Sequence, residues 1–513
     1  MAARSEISIP LNRVEGDLEV RLAIEDRVVV DAWCSGTLFR GFERLLVGRG
    51  SHDGVVIAPR VCGICSSAHQ TAAALALDAI AGATLPINAV LARNVALAAE
   101  HVQSDARQTV LMFAADFTNA AYREQPLFAE AVRRYEPLKG ERAIATIRAT
   151  TKLLDLIAVI GGQWPHSSYM VPGGIVSSPS AADLKLCRHR LQRYREWYEA
   201  QVLGCPVERF AEVTSEATLR AWLEEKPAHA EGDVGFFIRF ADAVGLQRIG
   251  IGHRNFISFG ALPLPAGTKV RGRGSRTHLF GAGFARGLDL EVFDQSLIRE
   301  HLQHSWFTSE GGPRHPSEGV TEPYATGGEN QRYSWAKAPR YRDLPAETGP
   351  LAELVVAGHP LFVDLLEREG PSARLRQLAR LVRAAELIPA MESWIDEIDP
   401  RAPYYSAVGV IEQGSGCGLT HAARGALGHW VTIEDGTISR YQIITPTGWN
   451  ASPRCDAHLR GPMEQALIGT PVVDADNPVA IGHVVRSFDP CLVCTVHALR
   501  GAADGARSPL GVF

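Results

Sequence analysis

Near its start the chain alternates apolar and polar positions. Glu19-Val20-Arg21-Leu22-Ala23-Ile24 is followed, after the acidic Glu25-Asp26, by Arg27-Val28-Val29-Val30. A period of two broken by a polar pair predicts two strands joined by a tight turn. From 69 to 121 the period changes. Ala and Leu recur at helical spacing and only Pro86 interrupts them, which predicts two or more long helices whose small side chains permit close packing. Helical patterns return over 127–160, 181–199, 214–223 and 360–398. The stretch 251–350 is rich in Gly, Pro and aromatic residues and reads as short strands and loops. Strands and turns are expected again over 407–447, then a last helical piece over 456–469. No repeat, low-complexity tract or linker divides the sequence. The expectation is one mainly α body with small β-sheets (α+β), spanning 1–513.

Composition narrows the class. Hydrophobic residues make up 46 % and charged residues 21 %, an ordinary globular mix that speaks against long disorder. The net charge of −5 excludes the basic excess of a nucleic-acid binder. No apolar run reaches the ~18 residues of a membrane span, and MAARSEISIP lacks the pattern of a signal peptide. The chain alone is therefore expected in the cytoplasm or at the cytoplasmic face of a membrane. Export alongside a partner that carries the address stays open.

Nine cysteines are too few for a disulfide scaffold of this length. Cys34, Cys187, Cys205, Cys417 and Cys455 stand alone and read as small buried hydrophobes. The other four form two C-x-x-C pairs, Cys62/Cys65 in Arg60-Val61-Cys62-Gly63-Ile64-Cys65 and Cys491/Cys494 in Asp489-Pro490-Cys491-Leu492-Val493-Cys494. Each pair can place two soft thiolates on one metal, with Gly63 suited to the bend. Zinc ribbons keep their pairs within about 20 residues, whereas these lie more than four hundred apart. On spacing, structural zinc, a redox dithiol and a different metal centre all stay open. Arg60, Asp489 and His497 flank the thiolates, and such charges favour a site that moves protons.

At these residues the sequence resembles the large catalytic subunit of nickel–iron hydrogenases, through R-x-C-G-x-C-x-x-x-H at Arg60–His69 and D-P-C-x-x-C-x-x-H at Asp489–His497. Shorter elements are similar in order along the chain: Arg13-Val14-Glu15-Gly16, Arg40-Gly41-Phe42-Glu43, Pro165-His166 with Gly173-Gly174, the run 333–341, Arg424-Gly425-Ala426-Leu427-Gly428-His429, and Thr445-Pro446-Thr447-Gly448. The resemblance implies that both cysteine pairs converge on a buried Ni–Fe(CN)2(CO) centre among long helices. Cys62 and Cys491 would be terminal nickel ligands, and Cys65 and Cys494 would bridge to iron. Arg424 would stand over the open face as a fixed charge or a proton acceptor, with Asp489 supporting it and Thr447 bonding a cyanide. Glu15 would relay protons from a terminal thiolate. Glu43 and His497, with a backbone carbonyl near Ile443 or Ile444, would hold Mg2+. Asp105 or Ser104 would take the place of a second acidic residue near Arg424.

The same resemblance implies hydrogen (H2) as substrate, oxidised to protons and electrons. The lone cysteines form no iron–sulfur motif, so the clusters would reside only in a small partner subunit, covering an apolar surface near the first cysteine pair. Higher oligomers remain open. Residues 498–513 would be a maturation extension removed by a protease after His497. That extension favours an uptake enzyme over a hydrogen-sensing subunit. Two further readings compete with it, a respiratory-complex relative that has lost the metal site and a non-enzymatic zinc-stapled scaffold.

Overall fold

The structure is a computed structural model that describes residues 4–265, 277–309, 311–327 and 331–495, with no side-chain description for 494 and 495. Strands β1 (Ser5–Pro10), β2 (Leu18–Glu25) and β3 (Val28–Gly36) form an antiparallel sheet in that order. The expected two-strand hairpin is present, with one further strand at its edge. On β2, Val20, Leu22 and Ile24 pack into a core shared with Met463, Leu467, Val484 and Val485. The N-terminal sheet is thus anchored to the C-terminal end of the chain.

The Ala-rich region folds into α1 (Ser66–Ala81) and α2 (Ile87–Arg107), starting just after Pro86. Helices α3 (Glu141–Gly161), α4 (Ala181–Trp197) and α5 (Asp233–Val244) follow. Strands β4 (Asn255–Pro263) and β5 (His278–Arg286) pair within the Gly- and aromatic-rich stretch. Helix α6 (Ala373–Glu397) is the longest, begun by the Ser372 hydroxyl accepting the Leu375 amide at 3.0 Å. It packs against α2 and α4. Strands β6 (Gly414–Ala422), β7 (Gly425–Glu434) and β8 (Thr437–Ile444) make an antiparallel meander.

The alternating glycines at the start of β6 have a packing reason. A Cβ on Gly418 would overlap the Ala72 carbonyl, and one on Gly416 would lie 2.7 Å from the Ala76 carbonyl. The sheet lies directly on α1, which small residues on both surfaces allow. The C-terminal expectation needs correction. The helix over 456–469 shortens to Pro462–Leu467, and α7 (Val479–Ser487) is the helix that leads into the second cysteine pair. Short, nearly all-buried segments such as α7 carry too little amphipathic period to be read. Four lone cysteines are buried as expected; Cys417 is half-buried.

On α7, His483 is completely buried among Phe113, Phe117 and Tyr122, with ring centroids 5.0, 5.5 and 5.8 Å away. Neither ring nitrogen has a hydrogen-bond partner among the described residues. Burial pushes its pKa down to about 4 from 6.5. The unfolded chain therefore binds a proton that the folded chain refuses between these values. The associated stability is full above pH 6.5 and is lost as pH falls toward 4. His483→Phe is expected to make the fall in melting temperature between pH 7 and 4.5 shallower, measured by calorimetry. An unchanged slope would show that His483 does not contribute.

Candidate metal centre

The two cysteine motifs meet through their backbones and not only through their thiols. Glu15 bridges Cys491 in parallel register, with Glu15 N–H donating to Pro490 O at 3.2 Å and Leu492 N–H to Glu15 O at 2.6 Å. Gly16 sits at φ +82, and a Cβ there would lie 2.8 Å from the Val493 amide. This glycine is required twice, by its left-handed backbone and by close approach. Gly63 differs from the expectation. It is not among the positive-φ glycines, and a Cβ would meet His166 at an ordinary 3.6 Å.

Arg40 closes the same joint. Its Nη1 donates to Val61 O at 2.6 Å and Val493 O at 3.0 Å, and its Nη2 to Arg60 O at 3.0 Å. One guanidinium thus holds a carbonyl from each motif. Arg60 has no such role: its side chain is exposed and donates to Val56 O within its own turn. Its expected place beside the thiolates is therefore corrected, and Arg40 supplies the charge.

Cys62 lies just after a short 3-10 turn and Cys65 at the start of α1. The orphan amides of that helix start find an unexpected partner. Glu100, buried on α2, accepts from Ser67 N at 2.8 Å and Ala68 N at 3.0 Å, and from Trp164 Nε1 at 3.1 Å. A lone carboxylate within Ala96-Leu97-Ala98-Ala99-Glu100 was the available sequence signal. His69, one turn on, is buried, and burial holds its pKa down to about 4. Its Nδ1 lies 3.1 Å from His429 Nε2, and His429 Nδ1 lies 2.8 Å from Tyr441 Oη.

Cys62, Cys65 and Cys491 are buried, and their sulfurs all lie within 4.8 Å of one another. Cys62 Sγ and Cys491 Sγ are 3.6 Å apart. Cys494 belongs to the short helix Leu492–Thr495 that continues from Cys491; its side chain and His497 lie outside the described residues. Three converging buried thiols are a soft donor set that fits nickel, iron or zinc.

Above the thiols stands a buried ion pair. Arg424 Nε meets Asp489 Oδ2 at 3.1 Å and Asp489 O at 3.0 Å, while Arg424 Nη1 is buried with no hydrogen-bond partner among the described residues. Burial opposes the Arg424 charge, but Asp489 and the thiols of Cys491, Cys65 and Cys62 hold its pKa well above the ordinary value. Asp489 reaches this position with φ +52. The Thr447 hydroxyl accepts the Cys491 amide at 2.9 Å. Glu15 is half-buried; burial and the neighbouring Cys62 raise its pKa. Of the two candidates on α2, Asp105 carries the charge contact, with its oxygens 2.8 and 2.9 Å from Arg383.

Glu43 lies in a separate buried polar cluster. It accepts the Ile443 amide at 2.9 Å and a hydrogen bond from Thr321, and Lys337 Nζ lies 3.0 Å away. Lys337 also meets Gln442 Oε1 at 2.6 Å and Glu300 at 3.5 Å. These oxygens fit a hard cation, and Lys337 already supplies positive charge among them.

A helical body that brings Cys62, Cys65 and Cys491 together beside a buried Arg–Asp pair defines a class, a protein with a buried thiolate metal centre. The comparisons with known proteins agree. The nickel-dependent hydrogenase family pattern matches residues 40–123 and 233–497. The periplasmic [NiFeSe] hydrogenase large subunit of Desulfomicrobium baculatum is 34 % identical over 96 % of this chain and 95 % of its own. The uptake hydrogenase large subunit of Azotobacter chroococcum is 26 % identical over 96 % and 94 %. A solved structure of the H2-activated D. baculatum [NiFeSe] hydrogenase superposes with a TM-score of 0.83 at 31 % identity, covering 96 % of this chain and all of the other. The chain belongs to the nickel-dependent hydrogenase family. Both of its C-x-x-C motifs have cysteine at both ends.

Removing the Arg40 clasp should loosen the joint between the motifs. Arg40→Ala is expected to lower nickel retention against a chelator by about 10-fold or more, the usual scale for groups that orient metal ligands. Helical circular dichroism should stay unchanged. Retention equal to that of the unsubstituted protein would refute the clasp.

Proposed function

We propose that this chain is the hydrogen-oxidising subunit of an uptake-type nickel–iron hydrogenase, with Cys62, Cys65, Cys491 and Cys494 as the four metal thiolates. The observation that carries the reading is the convergence of buried thiols under the Arg424–Asp489 pair. A zinc clip has no use for an arginine charge buried at that cost. Cys62, Cys65, Cys491 and Cys494 would hold the nickel–iron pair, and carbon monoxide and cyanide would be further ligands of its iron. When bound, the nickel–iron pair supplies the heterolytic cleavage of H2.

The protein's own residues divide the remaining work. Arg424 acts as a fixed positive charge, because its surroundings keep it protonated. Asp489 aims it through the Nε contacts. Thr447 accepts the Cys491 amide and so retains its own O–H to donate to a cyanide. Glu15 takes a proton from a terminal thiolate and passes it outward, its raised pKa bringing donor and acceptor closer in strength. Each H2 yields two protons by this route and two electrons, which leave singly through a small iron–sulfur subunit. That partner would cover Leu45, Val47 and Val56, exposed apolar residues on the turns that precede Cys62. The lone cysteines, dispersed as they are, offer no cluster of their own.

We assign Mg2+ to Glu43 and His497 with a backbone carbonyl near Ile443 or Ile444. A maturation protease would remove 498–513. No helix of the described residues is long and apolar enough to cross a membrane.

Metal analysis of the subunit from its native host tests the central reading. Nickel and iron in equal amounts are expected, on a chain whose mass ends at His497. Zinc alone would overturn it. For the relay, Glu15→Gln should lower hydrogen oxidation by about 10²–10⁴-fold, the range for losing an acid–base group, with nickel and iron content unchanged. Unaltered turnover would exclude Glu15.

A further inference from the structure

Helix α6 sends two buried arginines to the two loops that carry the Arg424–Asp489 pair. Arg380 and Arg383 are three residues apart and so share a helix face. Arg380 Nη1 donates to Ser487 O at 3.0 Å, two residues before Asp489. Arg383 is completely buried and uses every N–H it has. Nε and Nη2 meet the Asp105 oxygens at 2.8 and 2.9 Å. Nη1 meets both Glu353 oxygens at 3.0 and 2.8 Å. The remaining Nη2 hydrogen goes to the carbonyl of Ala423 at 2.8 Å, the residue immediately before Arg424.

The other side of Arg424 is pinned as well. Gly425 has φ +121, and a Cβ there would overlap Thr348 and Gly349. Ala426 N–H donates to Thr348 Oγ1 at 2.8 Å. Among the described residues the Arg424 side chain, in contrast, is held through Nε alone, and Nη1 has no hydrogen-bond partner. Its reach over the thiols is thus decided by where its backbone is fixed.

We infer that Arg383 is a positioning residue for the reaction. Through the Ala423 carbonyl it sets where the Arg424 guanidinium stands over the thiolates, while Asp105 and Glu353 fix its own fork and balance its charge. Arg380 does the same for the Asp489 side of the pair. The inference rests on the reading of Arg424 as a charge that acts on the reacting centre.

The test is made on the assembled holoenzyme. Arg383→Lys keeps the charge but has three donors in place of five and no planar fork, so it cannot reproduce the paired contacts to Asp105 and Glu353 together with the Ala423 bond. Nickel content and KM for H2 are expected to stay unchanged and turnover to fall about 10–100-fold, the scale of a small misplacement of a catalytic group. The double variant with Arg424→Lys should be no slower than Arg424→Lys alone. A crystal structure of Arg383→Lys should show the Arg424 guanidinium displaced. Losses that multiply, or a fall in turnover with Arg424 unmoved, would overturn the proposal. Should Arg383→Lys fail to fold or load metal, Asp105→Asn supplies the same cycle: a smaller loss, again absent on top of Arg424→Lys, is expected, and a multiplicative one overturns it. Turnover unaffected by Arg424→Lys itself would instead refute the role of Arg424, a separate and distinguishable failure.

Discussion

Everything in this fold serves one closure, the meeting of Cys62 and Cys491 across 429 positions of chain. Closing a loop of that length costs chain entropy, though the cost grows only slowly with length. The protein prepares the meeting with ordinary backbone chemistry. Glu15 pairs with Cys491 as though both were in a sheet, and Arg40 grips a carbonyl from each motif. The N-terminal sheet and the C-terminal helices share one apolar core, so hydrophobic burial also supports the joint. The thiols then need only small adjustments to share a metal.

That arrangement explains why the site is so rich in buried charge. Arg424, Asp489, Arg383, Asp105 and Glu353 are all buried. Each such group costs several kcal/mol to desolvate unless it is paired with good geometry. Arg383 meets this condition fully, with two carboxylates and a carbonyl. Arg424 does not, since one of its nitrogens is left without a partner among the described residues. The contrast between a fully satisfied arginine and a partly satisfied one, joined through a single peptide unit, separates the group that holds from the group that acts.

Local pattern revealed much of this molecule. The alternation at 19–30, the Ala-rich run after Cys65 and the long helix before residue 398 are periodic enough to be read, and the structure has all three. The two cysteine pairs were legible because spacing and residue type together define a donor set, and the ordered short elements carried the resemblance. What stayed hidden depends on tertiary partners. Arg380 and Arg383 look like solvated charges on a long helix, since nothing nearby in sequence announces Ser487 or Ala423. Glu100 serves a helix start more than thirty residues earlier. Arg60, adjacent to the motif, turned outward, while Arg40 reached in from a different turn.

Proximity in sequence is therefore a poor guide to which charge serves a metal site, and connectivity is a better one. A side chain that bonds carbonyls belonging to two remote segments constrains both, whatever its own position in the chain. Arg40 does so for the cysteine motifs, and Arg383 does so for α2, the Glu353 segment and the loop of Arg424. Such residues carry no chemistry of their own, yet they convert a flexible side chain into a charge at a defined place. A metal centre that must split a small, nonpolar molecule has little in its substrate to grip, so the precision has to come from the protein around it. Here it comes from guanidinium forks, whose five donors in one rigid plane fix the direction of each bond as well as its partner, which the three rotatable donors of an ammonium do not.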